Sequence, residues 1–172
     1  MKRKELTQQL REAVKNRNYY SQRDIYFVNE STLGKKFKDK DNARHEFEIG
    51  KFAFDNGVQV PEPYELISPD LILRRLFDNY ALKSWFILIE RIKGVQINQI
   101  NDEEIRKEAL RQLETEIAKL FDLRIYPYGC VYPDKSLFDT TKKKLYLIDF
   151  EDWRKSPKDQ PFDRNKSLKY DY

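Results

Sequence analysis

The sequence predicts an α+β fold in two lobes: a small antiparallel sheet with one helix, then a mainly helical second lobe. Three observations predict it. β-rich runs at residues 24–29, 33–38, 70–76 and 84–91 bracket one helical stretch in the first half. A long segment beyond residue 101 then repeats apolar residues every three or four positions. A closing hairpin ends in the apolar run Leu145, Tyr146, Leu147, Ile148.

Each element has a local reason. Leu6, Leu10, Ala13 and Val14 share one face of a helix over residues 4–17. Ile25, Tyr26, Phe27 and Val28 form a strand; Glu30, Ser31 and Thr32 turn the chain, and residues 33–38 return as a second strand. The polar residues 39–42 cap a helix from about Asp41 to Asn56, and Gly57 stops it by accepting the left-handed backbone that helix ends favour. Pro61 and Pro63 keep residues 58–64 extended. Strands are expected at 70–76 and 84–91, with a turn at Asp78 and Asn79. Asn101 and Glu104 make a capping box for a helix that reaches about Leu123 through Ile105, Ala109, Leu113, Ile117 and Leu120. Residues 125–134 read as a loop, residues 136–139 and 144–148 as a hairpin, and the chain from Asp152 as a charged tail.

At 172 residues the chain is expected to be one domain: helix 1–18, first lobe 19–91, minimal second lobe 92–155, tail 156–172. Hydrophobic residues make up 40% and aromatics 14%, which excludes general disorder. Basic residues exceed acidic ones by 33 − 29 = 4, a surplus that permits contact with phosphates without demanding it. With Cys130 as the one cysteine, no intrachain disulfide can form, which suits a reducing compartment. Met1-Lys-Arg-Lys-Glu leads into a polar amphipathic segment rather than an apolar run, so no signal peptide is read. The longest apolar stretch, residues 85–89, is far too short to span a bilayer. A cytoplasmic protein without membrane contact is the expectation.

Asp149 is the foremost site candidate. Four apolar residues deliver its carboxylate to a strand end, where it suits a hard cation or an Asx-type turn. Glu151 and Asp152 add negative charge beside it, either to hold a divalent ion or as a solvated acidic turn. His45 and Cys130 are each alone of their kind, so zinc and Cys-His chemistry are not expected.

Four segments in order carry a resemblance: Leu33-Gly-Lys-Lys-Phe-Lys; Ala43-Arg-His-Glu-Phe-Glu running on to Gly57-Val-Gln-Val-Pro-Glu-Pro; Phe86-Ile-Leu-Ile-Glu-Arg-Ile-Lys-Gly; and Leu145-Tyr-Leu-Ile-Asp-Phe-Glu. Together they resemble the protein-kinase-like fold, in particular its small atypical branches such as the RIO kinases and aminoglycoside phosphotransferases. The likeness spans residues 24–153. It implies ATP with Mg2+ or Mn2+ as cofactor. Lys35 would pair the phosphates, with Lys36 as the alternative on the opposite sheet face, and Glu46 would hold the lysine from the helix. Glu90 would mark the adenine-contacting hinge, or simply cap the strand end. Asp149 would bind metal.

The same likeness exposes losses. Aligning the family's catalytic loop on residues 128–137 matches Gly129, Pro133 and Leu137. It also puts Tyr128 at the histidine, Cys130 at the catalytic aspartate and Lys135 at the second metal ligand. A thiol is not an anionic base at neutral pH, and an ammonium repels magnesium. None of the five glycines forms a glycine-rich loop ahead of Lys35; only Asn29, Glu30, Ser31 and Thr32 lie between the first two strands. The leading expectation is therefore a pseudokinase that binds a protein partner, with residual nucleotide affinity. One alternative is an active atypical phosphotransferase using Asp149, with Asp134 as a displaced catalytic base and Asp139 as a metal ligand. Another is a nucleic-acid-binding module using Lys2, Arg3, Lys4, Arg11, Lys15, Arg17, Tyr19, Tyr20 and the hairpin tip Lys142, Lys143, Lys144.

Overall fold

The computed structural model describes residues 3–20, 24–69, 84–127 and 133–156. The expected strand at 70–76, loop residues 128–132 with Tyr128 and Cys130, and the tail beyond residue 156 lie outside them. The chain divides into two compact units, one of Met1–Phe47 with Glu62–Arg91, the other of Glu48–Pro61 with Ile92–Tyr172.

In the first unit, helix α1 (Arg3–Lys15) leads to strands β1 (Ile25–Asn29) and β2 (Thr32–Phe37), and the chain then enters helix α2 (Lys40–Asp55). Strands β3 (Pro63–Ile67) and β4 (Trp85–Glu90) complete an antiparallel sheet of order β1-β2-β4-β3. Alternation along the strands gives the sheet two apolar faces. Tyr26, Ile67, Phe86 and Leu88 pack against Leu6, Leu10 and Ala13 of α1. Phe37 and Ile87, with Leu66, Trp85 and Ile89 beside them, pack on Ala43 and Phe47 of α2. The α2 start is capped by Asp39, whose carboxylate accepts the Asn42 amide at 2.9 Å.

β3 was not expected as a strand. Pro63 opens it at the sheet edge, where a residue without an N–H leaves no ladder bond broken, so its proline signals a strand start rather than a mere extended linker.

The second unit begins with the last part of α2. That helix ends as the glycine predicted: Gly57 has φ of 77°, its amide donates to Phe54 O at 3.0 Å, and the Val58 amide donates to Ala53 O at 3.0 Å. Helix α3 (Glu103–Asp122) is the long one. Its cap is Asp102, not Asn101: the Asp102 carboxylate accepts the amides of Glu104 and Ile105, both at 3.0 Å. With the cap one residue later, Glu104 sits too early to close a capping box, and it pairs with Lys107 at 3.1 Å instead.

Strand β5 (Ile125–Pro127) pairs with β8 (Trp153–Lys155), and β6 (Ser136–Asp139) with β7 (Lys144–Leu147). β5 and β8 correct the expected loop and tail. The charged composition after Asp152 hides that Trp153 is a buried anchor, packed with Phe150 at a ring separation of 5.7 Å. Ala109, Leu113, Ile117 and Leu120 of α3 build this unit's core with Ile97, Ile125, Phe138, Leu145 and Leu147. Among the described residues no helix is long and apolar enough to cross a membrane.

Candidate functional site

Lys35 lies in mid-β2, opposite Ile25 on one side and Ile87 on the other, so it shares the face that α2 covers. Glu46 sits two turns into α2 and is buried. Both carboxylate oxygens of Glu46 accept from the Lys35 ammonium at 2.9 Å. Lys36 points to the other face by strand alternation and meets Asp24 at 3.3 Å. The interval 46 − 35 = 11 is spanned because β2 runs directly into α2 through the short cap at Asp39.

Glu90 closes β4 on the α1 side of the sheet, so it is not brought to Lys35. Its amide donates to Glu62 O at 2.9 Å, and its carboxylate accepts the Glu62 amide at 3.3 Å. The side chain ties the strand end to the residue before β3.

In the second unit, Asp149 follows β7 with φ of 67°, a left-handed backbone that aspartate tolerates better than most residues. Phe150, next in the chain, enters the core. Lys135 ends a single helical turn (Pro133–Lys135) before β6. Its ammonium lies 3.0 Å from Asp152 Oδ2 and 3.5 Å from Asp149 Oδ2. Burial alone would push the lysine pKa down; the Asp152 hydrogen bond and the Asp149 charge outweigh it, and the group is held above its ordinary value. Sequence reasoning placed Lys135 in this loop only as a misfit. Its role as the cation between two carboxylates was not read, though the signal existed in the hairpin: pairing Ser136 with Leu147 sets Lys135 beside Ile148, one residue before Asp149.

Asp134 is exposed, and its carbonyl accepts from Gln96 at 3.1 Å. Asp139 is buried and accepts the amides of Thr141 and Lys142, both at 3.0 Å, so its carboxylate is engaged in closing the hairpin turn. Lys142, Lys143 and Lys144 are exposed at that turn.

A divalent cation binds hard oxygens at about 2.1 Å for magnesium. The space between Asp149 and Asp152 already holds an ammonium at 3.5 and 3.0 Å, so this arrangement does not fit a metal shared by the two carboxylates.

No protein-family model matches the chain, and no curated protein matches it. Among solved structures, the Cydia pomonella granulovirus kinase PK-1 is similar in fold, with a TM-score of 0.54 at 17% identity. The match covers 76% of this chain and 47% of that one, so this chain spans about half the length of its neighbour. At this identity the likeness establishes the fold: α+β and kinase-like, with a small antiparallel sheet.

Proposed function

We propose that the chain is a degenerate kinase-like domain, a pseudokinase, which acts by binding a protein partner and keeps residual affinity for a nucleotide. The observation that carries this reading is the Lys135 ammonium bound to Asp149 and Asp152. Phosphoryl transfer needs a metal ion that neutralises phosphate charge and a carboxylate that receives the hydroxyl proton. Here an ammonium faces Asp149, and the aligned position for the proton acceptor is Cys130. Lys35, held by Glu46, supports the nucleotide clause, since an oriented ammonium on a strand suits a phosphate oxygen.

The deciding experiment incubates the chain with labelled ATP and Mg2+ or Mn2+ and follows phosphate incorporation into itself and into general protein substrates. No incorporation above the Asp149→Asn variant is expected. Incorporation that Asp134→Asn abolishes would instead establish the active atypical phosphotransferase. Salt-sensitive retention on duplex DNA, lost when Lys142, Lys143 and Lys144 are neutralised, would favour the nucleic-acid reading. For the nucleotide, a melting-temperature rise with ATP that Lys35→Met removes is the supporting result.

A further inference from the structure

We propose that Lys135 is a tethered replacement for a divalent cation: its ammonium holds Asp149 and Asp152 together, so this pair of carboxylates takes up no Mg2+ or Mn2+. The proposal rests on the reading of the chain as a degenerate domain and goes further, since it assigns the exclusion of a metal shared by Asp149 and Asp152 to one side chain.

The geometry delivers that side chain by hairpin register rather than by chance contact. Ser136 pairs with Leu147, and the Ile148 amide donates to Lys135 O at 3.0 Å, so the Lys135 backbone is fixed one residue from Asp149. The left-handed backbone of Asp149 and the following turn, in which the Trp153 amide donates to Phe150 O at 3.1 Å, bring Asp152 back to the same ammonium. Phe150 and Trp153 are buried on either side of that turn, which anchors both carboxylates on the core.

The ammonium already touches both carboxylates, and the Glu151 carboxylate lies within 4.8 Å of that of Asp149 in the same corner. Adding a divalent ion would bring two cations within a few ångströms of one another in a partly shielded corner, where their repulsion is not screened as in bulk water. Replacing the ammonium with a neutral oxygen donor leaves an all-oxygen set of the kind hard divalent ions prefer.

The test is a Mn2+ titration of the whole chain, followed by melting temperature and by Mn2+-induced broadening of the amide signals at residues 149–152. Wild type is expected to show no shift and no selective broadening. Lys135→Asn should gain a Mn2+-dependent rise of about 2–4 °C or more near saturation, lost again in Lys135→Asn with Asp149→Asn. Lys135→Arg, which keeps a cation, should behave as wild type. Selective broadening at 149–152 in the wild type overturns the proposal, and that measurement stands even if Lys135→Asn does not fold. A folded Lys135→Asn without any Mn2+ response overturns it as well. Neither readout depends on phosphate transfer or on a partner, so failure of the pseudokinase reading would be seen separately, in the ATP incubation.

Discussion

The Lys35 ammonium lies 2.9 Å from each oxygen of the Glu46 carboxylate, joining β2 to α2 through a side-chain pair that is mostly shielded from water. Removing one member of such a pair costs more than the pair itself contributes, because the other charge stays shielded from water and loses one of its counter-charges. Glu46→Ala is expected to lower stability by about 1.5–3 kcal/mol and the melting temperature by roughly 3–10 °C. Glu46→Gln should cost less, since the amide oxygen still accepts. A double-mutant cycle with Lys35→Met checks the pair directly, and a coupling below about 0.5 kcal/mol would show that the two do not interact in solution.

Two glycines are predicted to respond differently to alanine. A Cβ on Gly94 would lie 3.0 Å from both C and O of Phe138, main-chain atoms fixed by the Val95–Phe138 bridge. A Cβ on Gly34 would lie 2.6 Å from Leu10 Cδ1, the end of a side chain that can turn or be shortened. Gly34→Ala should therefore cost about 1–3 kcal/mol by overpacking and be partly rescued by Leu10→Val. Gly94→Ala should find no rescue among side-chain changes. Urea unfolding of the single and double variants distinguishes the cases.

The cap of α3 separates neighbouring residues. Asp102→Ala is expected to cost about 1 kcal/mol, since the amides of Glu104 and Ile105 lose their acceptor. Asn101→Ala should change the melting temperature by less than a third as much. An equal loss at both positions would mean that the helix begins elsewhere.

Tyr26 sets an alkaline limit. It is buried under α1, and burial, then its hydrogen bond with Tyr19, then the nearby charges raise its pKa well above the ordinary tyrosine value. A raised value means that the neutral phenol favours the folded state. The contribution is complete below the unfolded tyrosine value, roughly 10, and is lost as pH rises from there through the folded value. The melting temperature of wild type is expected to fall more steeply above pH ~10 than that of Tyr26→Phe. Equal slopes would show that this phenol ionises freely in the folded chain.

Much of this architecture was legible in the residue pattern. The 3–4 spacing from Ala109 to Leu120, the glycine stop at Gly57 and the two hairpins all carry local signals that few tertiary contacts override. β3, β5 and β8 did not, because Pro63 and Pro127 and the charged residues around Trp153 mask a strand pattern, and each is held by its partner strand rather than by its own propensity. For the candidate site, Lys35 with Glu46 and the strand-end position of Asp149 were readable from segment order. The carboxylates of Glu90 and Asp139 accept backbone amides, contacts set by the fold that the residue pattern does not contain.

By itself, the order of residues determined the helices, the two hairpins and their inward-facing apolar side chains, and that no glycine-rich loop precedes Lys35. These follow from backbone sterics and hydrophobic period, both of which act over a few neighbours. Only the tertiary structure decided that the ammonium at position 135 comes to rest against Asp149 and Asp152, residues 14 and 17 places away (149 − 135 and 152 − 135). An ion pair depends on distance in space, and that distance is set by the register of β6 on β7 and the left-handed turn at Asp149, neither of which a charge count along the chain contains.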